Sequence, residues 1–258
     1  MKNKILTIAA LSLLTVACTK KVDTPDMYGE LSVTLSGEPT VEVVSKAAET
    51  LEPTDPEAAG YMVRIYDSAE VLKYESSYSD FEAQKLLLGD YYVTAEDCSE
   101  AAAEEGKGKM RLYGRSDKVS LTADALFQTA TVNCNVVNAK VSVQFDESVK
   151  NRFTGLQVSL SGGTTREKPI VITETETGVV TETWFNPSQL TYTISGTFSA
   201  NGINKAVEIT KTRTLQAKDN LLLMVKVNLD NGQLMPSLKV DTQINDLTEV
   251  PEEFNPYL

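Results

Sequence analysis

The chain has 258 residues, of which 24 are Lys or Arg and 36 are Asp or Glu, so its formal net charge at pH 7 is −12. It contains no histidine, which excludes Ser-His-Asp and Cys-His catalysis and the usual zinc ligand sets. Nucleic acid does not fit as a partner, because neutralising phosphates requires clustered basic residues. No phosphate loop, calcium loop or dinucleotide fingerprint is present. We therefore expect a protein that is not an enzyme and has no cofactor or metal site.

The sequence of residues 1–17 predicts a secretory signal peptide. Lys2 and Lys4 precede an apolar run over residues 5–17, which is shorter than the roughly 20 residues that a membrane-spanning helix needs. Small residues directly before Cys18 resemble the lipobox of bacterial lipoproteins, in which the cysteine receives a diacylglycerol. We expect a lipid at Cys18 to anchor the chain to the outer membrane, with residues 18–28 as a tether. The alternative is an ordinary signal peptide in which Cys18 is incidental.

The first strand is predicted at Leu31 to Leu35, where apolar and polar residues alternate with the period of two that is typical of a half-buried strand. Residues 39–60 follow it with three prolines and many acidic residues. This composition predicts a long loop between the first strand and the rest of its domain.

Two short segments have specific structural predictions. Leu88 to Ala95 resembles the turn-and-tyrosine entry into a core strand that is common in prealbumin-like and immunoglobulin-like sandwiches, with Tyr91 pointing inward. Ser99 to Gly106 combines a capping serine, helix-forming Ala and Glu residues and a terminal glycine. This pattern predicts a short helix.

Cys98 and Cys134 are a candidate disulfide pair. If Cys18 is lipidated, these two cysteines remain, and the signal peptide directs them to an oxidising compartment. However, Cys98 is out of phase with the inward side chains of its strand, so the strand must end or bulge before the sulfurs can meet. Two unbridged cysteines are the alternative, and we slightly favour the bridge.

A change of phase predicts where the chain divides. From residue 130 to residue 136 the apolar side chains occupy even positions, and from residue 137 to residue 145 they occupy odd ones. One strand cannot keep both sets on a single face without a bulge. We therefore expect two tandem β-sandwich domains, at residues 29–136 and 137–250, followed by a tail at 251–258. A single sandwich with one bulged strand is the alternative.

The second half of the chain continues the all-β pattern. Gly162-Gly163, Asn201-Gly202 and Asn231-Gly232 lie between strand-like runs and are predicted hairpin turns. Trp184 and Phe185 are adjacent, so in a strand they point to opposite faces. Trp184 is therefore a possible glycan contact, and packing in the core or in a domain interface is the alternative that we favour.

Three segments carry a resemblance to a known family. These are Gly89 to Cys98, Glu104 to Gly114 and Val132 to Asp146, and the later Leu190 to Phe198 and Lys211 to Leu215 are similar as well. They resemble domain-of-unknown-function family 4493, whose members are described as lipoproteins of gut Bacteroidales. The resemblance implies a fold, and it brings no activity or catalytic residues. More loosely, the chain is similar to fimbrillin-like pilus and adhesin subunits of the same bacteria.

The looser resemblance implies a mechanism. In fimbrillin-like subunits a trypsin-like cut removes the first strand, and a strand from a neighbouring subunit fills the groove. Lys46, in the loop after the first strand, is the candidate processing site, unless it is an ordinary loop lysine. We expect a structural or adhesive module of the cell surface that binds other surface-protein subunits. A glycan-binding lipoprotein of a polysaccharide-utilisation system is the alternative.

Overall fold

The structure is a computed structural model that describes residues 27–37, 49–51, 56–174, 178–200, 203–228, 235–242 and 246–251. Most of these residues lie in β-strands, and the α-helices among them span four residues each. The predicted all-β class is confirmed. Within the described ranges no helix is both long enough and apolar enough to cross a membrane.

The first half of the chain supplies nine strands and two short helices. The strands are β1 (Tyr28–Gly37), β2 (Glu49–Leu51), β3 (Met62–Asp67), β4 (Leu72–Ser77), β5 (Gln84–Leu87), β6 (Gly89–Glu96), β7 (Leu112–Arg115), β8 (Val119–Leu121) and β9 (Phe127–Val136). The helices are α1 (Pro56–Ala59) and α2 (Glu100–Ala103), and a 3-10 turn covers Tyr78–Asp80.

The second half supplies nine further strands. They are β10 (Ala139–Phe145), β11 (Phe153–Ser161), β12 (Ile170–Thr173), β13 (Val180–Phe185), β14 (Gln189–Ala200), β15 (Ile203–Thr214), β16 (Asn220–Asn228), β17 (Met235–Thr242) and β18 (Asp246–Pro251), with a 3-10 turn at Glu147–Val149.

The strands of the first half form one nine-stranded sheet in the order β2-β1-β9-β7-β6-β3-β4, with β5 beside β1 and β8 beside β6. The side chains of β1, β3, β6 and β9 that point to one side form a hydrophobic cluster, which we call the first cluster. The predicted entry strand contributes to it, because Tyr91 is buried and its hydroxyl donates to the carbonyl of Leu87 (2.8 Å). That bond fixes the corner before β6.

The second half forms a five-stranded sheet, β13-β10-β16-β17-β18, and a four-stranded sheet, β12-β11-β14-β15. The buried residues of these strands form a second cluster, which begins at Ala139. The first cluster ends at Val136. The predicted change of phase therefore coincides with the break between β9 and β10, where the side chain of Asn138 is buried and bonded to the backbone of Lys109 and Arg111.

Some local predictions are confirmed and others are corrected. Ser99 caps α2 by accepting a hydrogen bond from the N–H of Ala102 (3.2 Å), as predicted. The segment 39–60 is not only loop, since it contains β2 and α1. Gly162-Gly163 is not a tight hairpin, because β11 and β12 pair only from Leu160 opposite Ile170. The β14–β15 hairpin is as predicted, with Ala200 opposite Ile203.

Candidate functional site

The first strand, β1, lies inside the sheet rather than at its edge. On one side it runs parallel to β9, from Glu30 opposite Phe127 to Gly37 opposite Cys134. On its other side it is antiparallel to β5 and β2. We call the space between β9 and these two strands the β1 slot. Main-chain groups form both walls of the β1 slot, so it suits any strand of matching alternation.

The inward side chains of β1 anchor it in the first cluster. Leu31 and Leu35 are fully buried and Val33 is 9% exposed. Burying three aliphatic side chains of this kind stabilises the folded chain by roughly 5 to 9 kcal/mol. The hydroxyl of Tyr78 also accepts a hydrogen bond from the N–H of Leu35 (3.4 Å). The first cluster therefore depends on a strand whose pairings, within the described residues, are all with segments distant in the sequence.

Polar side chains on the outer face of β1 help to fix its register against β9. The hydroxyls of Ser32 and Thr129 are 2.6 Å apart, and the hydroxyl of Ser36 donates to the side-chain oxygen of Asn133. Both pairs join β1 to β9. They favour a strand with small hydroxyl residues at alternate positions.

Two residues that the sequence singled out lie outside the described part of the chain. Cys18, the predicted lipid attachment site, precedes the described range that begins at residue 27. Lys46, the predicted processing site, falls between the end of β1 and the start of β2. Both remain predictions.

A buried carboxylate joins the two halves of the chain. Glu104 follows α2, and its carboxylate accepts hydrogen bonds from the N–H groups of Thr165 (2.7 Å), Asn186 (2.8 Å) and Thr164 (3.2 Å) and from the Thr165 hydroxyl (2.6 Å). Gly163 has a φ of +90° and passes so close to this carboxylate that a Cβ there would overlap it. We call this arrangement the Glu104 joint. It fixes the α2 segment against the β11–β12 loop and the end of β13.

The hydrogen bonds also set the charge of Glu104. Burial by itself raises the pKa of the carboxyl, but the hydrogen bonds from Thr165, Asn186 and Thr164 outweigh it, and the net pKa lies below its ordinary value of 4.5. The group is therefore ionised at neutral pH and cannot serve there as a general acid.

Trp184 lies beside the Glu104 joint. The backbone N–H of Trp184 donates to the carbonyl of Lys107 (2.8 Å), and the Trp184 side chain packs against the first cluster although β13 belongs to the second half. Gly108, with a φ of +80°, leaves no room for a Cβ against the Trp184 carbonyl. Arg166 donates to the same carbonyl (3.3 Å) and lies 5.2 Å from the ring centre of Phe185. The Trp184 ring thus takes part in packing between the halves, and its role as a glycan contact remains an untested prediction.

A cleft of about 910 Å³ opens next to the joint, between the α2 segment and residues 165–171. Its buried carboxylate is Glu104, which the N–H groups above already occupy. Over the described residues, no group of three or more Cys, Asp and Glu side chains is arranged to hold a metal ion.

The two remaining cysteines are free thiols in this structure, so the Cys98–Cys134 bridge that the sequence slightly favoured is not formed. The Cys134 sulfur lies in the core, 3.9 Å from the carbonyl oxygen of Ala95. Cys98 comes three residues after Ala95, about 10 Å further along if the chain stays extended. Burial raises the pKa of Cys134 to about 12 and that of Cys98 to about 11, so neither is a reactive thiolate at neutral pH.

Sequence reasoning missed the Glu104 joint. In the sequence Glu104 is one member of a helix-forming run, and its partners Thr165 and Asn186 are 61 and 82 positions away. Nothing local distinguishes it from Glu105. The paired glycines at 162–163 were the visible signal, but hairpin geometry explained them equally well.

These features define an all-β protein whose described part consists of sheets and short connections, with an internal first strand and a polar joint between two clusters. The chain matches the family described as "Domain of unknown function (DUF4493)" over residues 28–254, and it belongs to that family. No curated protein matches it.

Several solved structures are similar to this chain at low identity. A candidate polysaccharide-binding protein (DUF1812) from Bacteroides thetaiotaomicron VPI-5482 is 11% identical, covering 83% of this chain and 96% of that one, with a TM-score of 0.49. The fimbrial anchor protein Mfa2 from Porphyromonas gingivalis is 14% identical, covering 86% and 95%, with a TM-score of 0.42. A fimbrial assembly protein from Parabacteroides distasonis ATCC 8503 is 10% identical, covering 88% and 100%, with a TM-score of 0.41. The functional interpretation therefore depends on this chain's own residues.

Proposed function

We propose that this chain is a non-catalytic structural or adhesive module of the cell surface, comparable to fimbrillin-like subunits, whose first strand can be replaced by a strand of another subunit. The single observation that carries the proposal is the position of β1, buried between β9 and β5 in a slot with main-chain walls on both sides. Loss of β1 would remove Leu31, Val33 and Leu35 from the first cluster and would leave the Tyr78 hydroxyl without the N–H of Leu35. The vacated β1 slot would have unpaired main-chain N–H and C=O groups on both sides, and these groups bind an incoming strand.

The proposed organisation has two β-sandwich domains, at residues 29–136 and 137–250. Two hydrophobic clusters with the division between Val136 and Ala139 support it. A signal peptide at residues 1–17 would direct the chain to export, and a lipid at Cys18 would hold it at the outer membrane. This order places β1 next to the tether, where a cut at Lys46 would separate both from the rest of the chain.

The chemistry of the buried carboxylates supports a non-catalytic role. Glu96 is paired with Arg64 (2.6 Å) and Arg111 (2.9 Å), and Glu104 is saturated by N–H donors. Burial raises the pKa of each, but the ion pairs and hydrogen bonds outweigh it, so both pKa values lie below the ordinary value. Both groups are committed to holding structure, whereas a general acid needs a pKa near the working pH.

The proposal is tested by cutting the chain after β1. Cys18→Ser is expected to release the protein from the membrane fraction, because the lipid is its anchor, and it provides soluble monomer. Limited trypsin treatment is then expected to cut after Lys46 and to produce higher oligomers on size-exclusion chromatography, since each vacated slot accepts a strand that remains attached to the body of another chain.

Lys46→Gln in the same Cys18→Ser chain is the control, and it is expected to stay monomeric under the same treatment. Cleavage at Lys46 without a change in size contradicts strand exchange. A Cys18→Ser protein that remains membrane-bound after signal removal contradicts the lipid anchor.

Glycan binding is the second candidate function. The observation that favours it is a cavity on the outer face of the first sheet, lined by tyrosine and arginine side chains.

A further inference from the structure

Three adjacent strands of the first sheet, β3, β6 and β7, carry polar and aromatic residues on the face opposite the first cluster. Tyr66 on β3 is directly opposite Tyr92 on β6, and Thr94 is flanked by Arg64 on β3 and Arg115 on β7. The residues between them in sequence, including Val63, Ile65, Val93 and Ala95, are fully buried in the first cluster. Strand alternation therefore brings these side chains together on the outer surface.

These residues enclose a cavity of about 260 Å³, which we call the sheet-face cavity. Its lining residues are Arg64, Tyr66, Glu70, Thr94, Tyr113 and Arg115. Thr94 is only 8% exposed, so it forms the floor. The volume is just below the range of about 300–1,000 Å³ that is typical of small-molecule sites. It suits one ring of a saccharide.

Ion pairs hold the arginines around the sheet-face cavity. Arg64 donates to Glu96 (2.6 Å) and also to Glu75. Arg115 donates to Glu70 (3.0 Å), and its guanidinium stands 4.5 Å from the ring centre of Tyr92. Each group is thus positioned before any ligand arrives, which lowers the entropy cost of binding.

The Tyr113 wall is held in a similar way. Arg111 lies 5.3 Å from the ring centre of Tyr113 and donates to Glu96 (2.9 Å). Glu96 is therefore paired both with Arg64, which lines the cavity, and with Arg111, which packs against Tyr113. The result is a charged network beneath two half-buried tyrosines.

The chemistry of this lining selects for a polyhydroxylated ligand. Guanidinium groups have five N–H donors each, carboxylates are acceptors, and tyrosine and threonine hydroxyls are both. Tyrosine rings add apolar faces against which a sugar ring can pack. Each cavity arginine is already paired with a glutamate, and the chain as a whole has a net charge of −12. An anionic ligand would therefore gain little from the arginines and would be repelled at long range.

We infer that the sheet-face cavity binds a neutral pyranose unit of a polysaccharide, with Tyr66 and Tyr113 contacting the ring and Arg64, Arg115 and Glu70 bonding its hydroxyls. This inference rests on the second candidate function, glycan binding, and specifies the class of its ligand. The cavity lies on β3, β6 and β7, away from the outer face of β1, so glycan binding and strand exchange can fail independently. Trp184, the aromatic residue that the sequence singled out, is not part of it.

The test is affinity electrophoresis of the full chain, made soluble by Cys18→Ser, through native gels containing mannan, barley β-glucan or dextran, with polygalacturonate as the acidic counterpart. We expect retardation on at least one neutral gel and none on polygalacturonate. Tyr66→Ala, Tyr113→Ala and Arg115→Gln are each expected to weaken binding about tenfold or more. Their melting temperatures should stay close to that of the parent protein, because these groups lie at the surface of the sheet.

Tyr28→Ala is the matched control. Tyr28 is an exposed tyrosine at the start of β1, and it lines a different surface cavity with Lys85 and Leu87. The inference is overturned if no neutral gel retards the parent chain, or if the Tyr66 and Tyr113 variants are retained as well as the parent. The inference is also overturned if Tyr28→Ala weakens glycan binding as much as the cavity variants do, or if only polygalacturonate retards the parent chain.

Discussion

The strands β1 and β10 begin the two halves of the chain and occupy matching places. β1 runs parallel to the late strand β9, and β10 runs parallel to the late strand β16. Each has an antiparallel partner on its other side, β5 for β1 and β13 for β10. Both strands bury alternate apolar side chains in their own cluster. β1 and β10 are therefore equivalent in their strand pairing and in the way their side chains are buried.

They differ in how the chain is attached to them. β10 follows β9 after two residues, and residue 138 between them is bonded into the structure on both of its polar atoms. β1 is joined to β2 through residues 38–48, and its remaining bonds are contacts with strands far away in sequence. One cut between residues 38 and 48 separates β1 from all later strands, so we expect that another chain can supply this strand. β10 is continuous with β9 before it and with β11 after it, so one cut does not free it.

A buried charge in each strand gives the largest effect and tests this difference. Leu35→Asp in β1 and Val143→Asp in β10 each place an unpaired carboxylate at a fully or almost fully buried position. Each should destabilise its own cluster by more than about 4 kcal/mol, measured by urea unfolding. A peptide of residues 28–37 should restore the Leu35→Asp chain, because a wild-type strand can take the β1 slot.

A peptide of residues 139–145 should not restore the Val143→Asp chain, since only two residues join β10 to β9 and keep the altered strand at its slot. The altered β1 of Leu35→Asp has the longer connection of residues 38–48 to the next described strand, so the peptide can displace it. Rescue of both variants, or of neither, would show that the two strands are equally replaceable or equally fixed. Either result would break the comparison.

A smaller effect is expected at the Glu104 joint, which connects the halves without belonging to either strand. Glu104→Gln should lower the free energy of unfolding by about 2 to 3 kcal/mol, because an amide donor then faces the N–H groups of Thr165 and Asn186. Glu105→Gln, at the exposed neighbouring position, should change it by less than about 0.5 kcal/mol. The fluorescence of Trp184, the single tryptophan of the chain, reports on the joint directly.

The stability that the Glu104 joint contributes should also depend on pH. The pKa of Glu104 is lower in the folded protein than its ordinary value of 4.5. Its stabilising contribution is therefore fully present above about pH 4.5 and is lost as the pH falls through the folded-state pKa. The stability gap between the parent and Glu104→Gln should shrink in that acid range. A gap that stays constant from neutral pH to pH 3 would contradict the assigned role of the carboxylate.

The parts of the fold that were predictable have local causes. The alternation at Leu31 to Leu35 predicted β1, and the serine cap with its Ala and Glu residues predicted α2. The change of phase at residue 137 predicted the break between β9 and β10. In each case one strand face or one helical turn determines the pattern.

The parts that were not predictable depend on distant partners. The parallel pairing of β1 with β9, the burial of Glu104 and the sheet-face cavity all bring together residues that are far apart in the sequence. β2 and α1 were missed because prolines and acidic residues dominate their surroundings. The proposed disulfide followed from the cysteine count and the compartment, but the end of β6 at Glu96 leaves Cys98 beyond the row in which Cys134 lies.

The most direct test of strand replacement uses a fluorescent peptide of residues 28–37 and the Cys18→Ser chain cut after Lys46. Gel filtration measures whether the peptide elutes with the protein. The account predicts that the peptide enters the cut chain and not the uncut chain, and that a peptide with Leu31→Asp and Leu35→Asp enters neither. It also predicts that the wild-type peptide suppresses oligomer formation, because it occupies the same slot. A cut chain that excludes the wild-type peptide, or one that takes up the aspartate peptide equally well, would contradict it.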